Sequence, residues 1–165
     1  MGDLFMLGRS VMRKLLVATA AGLSIFSTTA FSVQPSQSGQ NIFTCEASVL
    51  PLDEGHALIS WKGKGVQVTA AGSPDHMSNI DCVGTLESMA DKTFKASGYC
   101  LHTDRDGDKW IDRWWNDSTM KTGRWEYTGV SGKWKDLRGV KGNFVYTDLS
   151  TQSECRGVSN WEVTR

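Results

Sequence analysis

The sequence predicts an all-β domain, a small antiparallel closed barrel of about eight strands. Three observations predict it. Short runs rich in β-branched and aromatic residues alternate with Gly, Asp, Asn and Ser clusters at intervals of roughly 8–14 residues. Within the runs, apolar residues recur with period two. No stretch beyond residue 41 carries a convincing helical period. About eight strands fit a closed barrel, in which closure removes the exposed edges. A β-sandwich is the alternative.

The strands follow in order. Near 43–49, Phe43, Cys45, Ala47 and Val49 share one face, opposite Thr44, Glu46 and Ser48. Ala57, Ile59 and Trp61 share a face in a run over 57–70. Over 79–88 the aligned residues are Ile80, Cys82, Gly84 and Leu86, and over 93–104 they are Phe94, Ala96, Cys100 and His102. A fifth run covers 108–116 and a sixth 122–130, where Trp125 and Tyr127 oppose Arg124, Glu126 and Thr128. The seventh, 142–149, carries Phe144 and Tyr146, and the last, 155–164, carries Trp161 and Val163. Asp106-Gly107 is a type I′ hairpin signal between two runs. Ala90-Asp91-Lys92 closes the hairpin before it.

The barrel is expected over 42–165, behind an export signal. Met12-Arg13-Lys14 is a basic start, Leu15–Phe26 an apolar core of signal-peptide length, and Ser27–Ser32 a small-residue cleavage region. The apolar run is shorter than the ~20 residues a bilayer requires. Residues 1–32 are therefore read as a signal peptide, with Met12 a candidate start and cleavage after Ala30 or Ser32. Residues 33–41 read as a flexible leader. The expected location is secreted or periplasmic.

The full chain has 18 basic and 18 acidic side chains. The first 32 residues hold Arg9, Arg13 and Lys14 against Asp3, so the remainder has 15 basic and 17 acidic groups, a formal charge of −2. With no basic stripe, a nucleic-acid partner is not expected. No second long apolar run follows, so no membrane span is expected after cleavage.

Cys45, Cys82, Cys100 and Cys155 form an even set with no C-x-x-C pair. In an exported small domain this reads as two disulfides and not as a zinc or redox motif. Cys82 and Cys100 are symmetric about Asp91, so a hairpin turning there sets them opposite each other. Cys45 and Cys155 lie on the first and last strands, which pair if the barrel closes. The expected bonds are Cys82–Cys100 and Cys45–Cys155.

Asp104 to Asp112 resembles the first nine positions of a calcium loop, with carboxylates at positions 1, 3, 5 and 9. Lys109 stands where a glycine turns the chain, and Trp115 stands where a bidentate Glu belongs. The segment is read as an acidic hairpin turn. No metal and no cofactor are expected. His56, His76 and His102 lack metal-hydrolase spacing, and no Gly-x-Ser-x-Gly elbow occurs. Asn116-Asp117-Ser118 matches a glycosylation pattern but carries little weight, because the export signal has a bacterial style.

All seven tryptophans lie beyond the signal segment. Each large aromatic buries about 150–250 Å² and builds a core or lines a pocket. Alternation puts Trp110, Asp112 and Trp114 on one face and Ile111, Arg113 and Trp115 on the other. An outward tryptophan suggests a contact surface, and a homo-oligomer is an expected partner. The candidate lumen residues are His102, Trp110, Trp114, Trp125 and Tyr127, from three neighbouring strands. Their composition suits a small hydrophobic ligand, or a packed interior.

Residues 129–144 carry Gly132, Trp134, Gly139 and Gly142. This segment resembles the Gly-x-Gly-Lys-aromatic-x-x-x-x-Gly-x-x-Gly stretch of dirigent and allene oxide cyclase barrels and of secreted bacterial proteins like them. Ser131 departs from the glycine-rich run that precedes the matched glycine there. The resemblance implies an eight-stranded antiparallel barrel with a lumen, often trimeric. No acidic or cysteine catalytic position of that superfamily matches residue by residue, so catalysis does not carry over. The favoured expectation is a non-enzymatic exported barrel that binds a small hydrophobic or aromatic ligand or serves as an interaction module. The alternative is a cyclase- or isomerase-like enzyme in which His102 and Asp112 steer a substrate. An apolar cavity without convergent titratable groups supports binding, and His102 meeting a carboxylate inside it supports catalysis.

Overall fold

The computed structural model describes residues 34–151 and 154–164. The expected signal peptide, residues 1–32, lies outside the described residues. Eight strands form one closed antiparallel barrel in simple sequence order: β1 (Ser38–Asp53), β2 (His56–Val68), β3 (Ser78–Ser88), β4 (Phe94–Thr103), β5 (Lys109–Asp117), β6 (Gly123–Val130), β7 (Lys141–Asp148) and β8 (Cys155–Val163). Each strand pairs with the next, and β8 closes onto β1 from Ser38↔Glu162 to Cys45↔Cys155. A sandwich is ruled out by this closure.

The alternation puts the expected residues inside. Ile80, Cys82, Cys100, His102, Trp110, Trp125, Tyr127 and Trp161 are all buried. Val49 shares the parity of the inward residues but is 61% exposed. Pairing between β1 and β8 ends at Cys45, so beyond it β1 is paired only with β2 and lacks a neighbour on its other side. The leader is shorter than expected. Residues 38–41 are paired strand within β1, and Ser36 is tied to Asp75 by its N–H and its hydroxyl, at 3.3 and 2.9 Å. Asp75 is buried and also accepts from Gln67, Thr69 and Ser73, which offsets the cost of removing its carboxylate from water.

The turn at Asp106-Gly107 is not type I′. That type needs positive φ at both central residues, and only Gly107 has it, at φ 86°. The connection is a longer loop, 104–108, in which the Gly107 N–H donates to the Asp104 carbonyl and the Asp104 N–H to the Asp108 carbonyl. The Asp104 carboxylate accepts the N–H groups of Asp106 and Asp108, so the aspartate caps its own turn.

One end of the barrel is plugged. Between β6 and β7 a 3₁₀ turn, Gly132–Leu137, carries Trp134 inward to 1% exposure. Its ring centroid lies 4.5 Å from that of Trp110, and its indole N–H donates to Asp104 at 2.7 Å. Gly132 begins the turn at φ 55° against the Asp108 carboxylate, where a Cβ would collide at 1.9 Å. Lys133 bridges Asp104, at 2.9 Å, and Asp106. The acidic loop that resembled a calcium site is thus neutralised by a lysine of its own chain.

Both expected disulfides form, Cys82–Cys100 and Cys45–Cys155, each between directly paired residues with Cα atoms 4.1 and 4.9 Å apart. Two disulfides fit an oxidising extracellular compartment. No helix among the described residues is long and apolar enough to cross a membrane.

Candidate functional site

The barrel interior divides into a packed half and a hollow half. At the plugged end Trp110 lies between His102, stacked at 4.9 Å, and Trp134. Beyond them a cavity of about 400 Å³ opens at the end where the β1–β2, β3–β4, β5–β6 and β7–β8 turns lie. Tyr146, Asp148 and Ser150, all exposed, stand at its mouth. Small-molecule pockets usually measure about 300–1,000 Å³, so the space suits a small ligand.

The wall is mostly aromatic. Phe43 stacks on Trp61 and on Tyr146, and Trp61 stacks on Trp114 at 5.5 Å. Phe144 meets Trp114 edge-on, and Trp125 does the same with Trp161. The sequence makes room for these rings with glycine on facing strands. Gly84 and Gly98 are directly paired, and a Cβ on either would meet the Trp114 ring at 2.5 Å. Both disulfides form part of the same wall.

Of the five candidate lumen residues, Trp114, Trp125 and Tyr127 line the cavity. His102 and Trp110 face inward as expected but belong to the packed half, where His102 stacks on Trp110 and Trp110 packs against Trp134. The β6 bulge at Thr128 falls after Tyr127, so the assigned face of Trp125 and Tyr127 is preserved. Trp61, Phe43, Phe144, Tyr146 and Trp161 also line the cavity. Their alternation already marked most of them as inward, but selecting only three neighbouring strands omitted them. Trp115 faces outward, with the Arg113 guanidinium 5.7 Å from its ring. Asn116, the first residue of the glycosylation pattern, turns its side chain to the cavity.

Polar groups on the wall are few. Asp112 sits between Cys100 on β4 and Tyr127 on β6 and accepts a 2.7 Å hydrogen bond from His102 Nε2. His102 Nδ1 is buried without a partner. Burial, and then the charges of Asp112 and Asp75, push the Tyr127 hydroxyl well above its ordinary value, so it remains protonated. Trp114 Nε1 and Asn116 Oδ1 are also buried and unpartnered, one turn of alternation apart on β5. Asp112, Trp114 and Asn116 thus set three polar groups along the inward face of β5, with Asn41, Gln67 and Ser159 contributed by other strands.

His102 and a carboxylate do meet, with Asp112 on the cavity wall and His102 behind it. All four cysteines are held in disulfides and offer no thiol nucleophile. No family model, curated protein or solved structure matches this chain.

Proposed function

We propose that the domain is an exported receptor that holds one small apolar or aromatic molecule in its lumen by shape and ring contacts, without covalent chemistry. The observation that carries this reading is the half-hollow interior: a cavity of ligand size, walled by aromatic rings, open at one end and plugged at the other. Removing apolar surface from water contributes about 25 cal/mol per Å², and stiff rings give up little conformational entropy on ordering. The resemblance to dirigent and allene oxide cyclase barrels points the same way, because it too implies a lumen. Titration of tryptophan emission with a panel of apolar and aromatic compounds tests the proposal. Wild type should respond to at least one compound. Ala96→Phe, which places a ring in the cavity, should weaken that binding by ten-fold or more at unchanged melting temperature. Equal binding by the filled variant would contradict a lumenal site.

A second reading, a cyclase- or isomerase-like enzyme, is favoured by one observation. Asp112, backed by His102 and facing Tyr127, is a proton acceptor beside a protonated hydroxyl in an apolar space. Mass spectrometry of bound compounds after incubation separates the readings. A receptor returns them unchanged, and an isomerase returns a compound of the same mass with altered retention.

The expected signal peptide and the two disulfides both support export. The mature protein should begin near Phe31 or Val33, as read by intact mass of the exported form. Retention of Leu15–Phe26 would contradict export by cleavage.

A further inference from the structure

The cavity wall combines many rings with negative charge and no positive charge. Nine aromatic side chains line it, and among the described residues no Lys or Arg does. Two carboxylates do, Asp112 near the floor and Asp148 at the mouth. Asp148 is exposed and accepts the Ser150 N–H at 2.9 Å. Asp112 is buried and hydrogen-bonded to His102, whose Nδ1 has no partner.

Aromatic faces carry the negative end of a quadrupole, and a cation within about 6 Å of a ring centroid is attracted to them. Such a surface repels anions twice over, through the rings and through the carboxylates. A buried anion would find no ion-pair partner, which is a severe cost. A purely neutral apolar ligand would leave the Asp112 carboxyl facing hydrocarbon with only its hydrogen bond to His102.

Resting on the lumenal reading above, we propose that the ligand is an organic cation: an apolar amine or quaternary ammonium compound whose charged nitrogen lies among Trp61, Trp114 and Trp125, with Asp112 as counter-ion. The apolar part fills the remaining wall, and Asp148 attracts the cation to the mouth. Attraction at the mouth is solvent-screened and acts mainly on the association rate.

The test is calorimetric titration of the full mature protein with three compounds of one shape: phenyltrimethylammonium, its neutral isostere tert-butylbenzene, and benzenesulfonate. The cation should bind at least ten-fold tighter than the isostere, and the anion should not bind. Asp112→Asn should remove the cation preference. Because Asp112 supports His102, Asp148→Asn serves as a second variant at an exposed position. It should slow cation association two- to three-fold at low salt and leave the isostere unaffected. A wild type that binds the isostere as tightly as the cation, or an Asp112→Asn variant that keeps the preference, overturns the cation proposal and leaves the lumenal receptor standing. Failure of all three compounds, with Ala96→Phe also without effect on any panel compound, overturns both.

Discussion

At the scale of single residues, Trp134 decides how much of the interior is filled. It fastens the β6–β7 connection over the barrel end through its ring contact with Trp110 and its N–H bond to Asp104. Trp134→Ala should cost about 3–5 kcal/mol, as large aromatic truncations in cores do, read by urea unfolding. The same change should lengthen the cavity towards His102. The ion cluster beside it has a definite pH signature. Burial opposes the Asp104 charge, but bonds from Lys133 and Trp134 outweigh it and hold the carboxyl below its ordinary 3.8. Lys133 is shifted upward from 10.5, since its bonds to Asp106 and Asp104 outweigh burial. The contribution of Asp104 is therefore present above about pH 4 and lost as pH falls through the lower folded value. The contribution of Lys133 is present below 10.5 and lost as pH rises through its raised folded value. The melting-temperature gap between wild type and Asp104→Asn should narrow steadily below pH 4. Because Lys133 already occupies the acidic loop, adding chelator should leave the melting temperature unchanged. A large fall would indicate a calcium site.

At the scale of elements, period-two alternation was enough to place the inward face of every strand, because in a closed barrel one face is always core. It failed where a strand outran its neighbour, as at Val49, and it said nothing of how deep each inward residue would lie. The filling of the closed end depends on Trp134, which reaches the core from a connection and not from a strand, so no alternation pattern reports it. The split of His102 and Trp110 from Trp114, Trp125 and Tyr127 was illegible for that reason. The Asp-Gly pair marked a turn correctly but not its type, since the loop runs from 104 to 108 and Asp104 organises it. The disulfides were legible because hairpin symmetry and closure each fix one pair. Their removal should differ in cost. Opening Cys82–Cys100, whose ends are 18 positions apart in sequence, should cost about 3 kcal/mol, and opening Cys45–Cys155, 110 positions apart, about 5 kcal/mol on the chain-entropy model. Denaturant unfolding of the two paired Cys→Ala variants measures both. Equal costs would mean that native-state strain or residual structure dominates over loop length.

At the scale of the whole molecule, the barrel is a cup: a plug and packed tryptophans at one end, an aromatic cavity and an open mouth at the other. Inward glycines such as Gly84 and Gly98 allow large rings to lie flat along the wall, so that a small barrel retains open space. Gly98→Val should disrupt that arrangement, because its Cβ would meet the Val83 carbonyl at 2.2 Å and the Trp114 ring at 2.5 Å, lowering both stability and ligand affinity. The central claim is that this space is the binding site. It is tested most directly by a crystal structure of the wild-type protein with the tightest compound of the fluorescence panel. The account predicts density for that compound between Trp61, Trp114, Trp125 and Phe144, with the Trp110–Trp134 plug unmoved beneath it. A lumen closed by its own side chains, with the compound bound on the outer face, would contradict it.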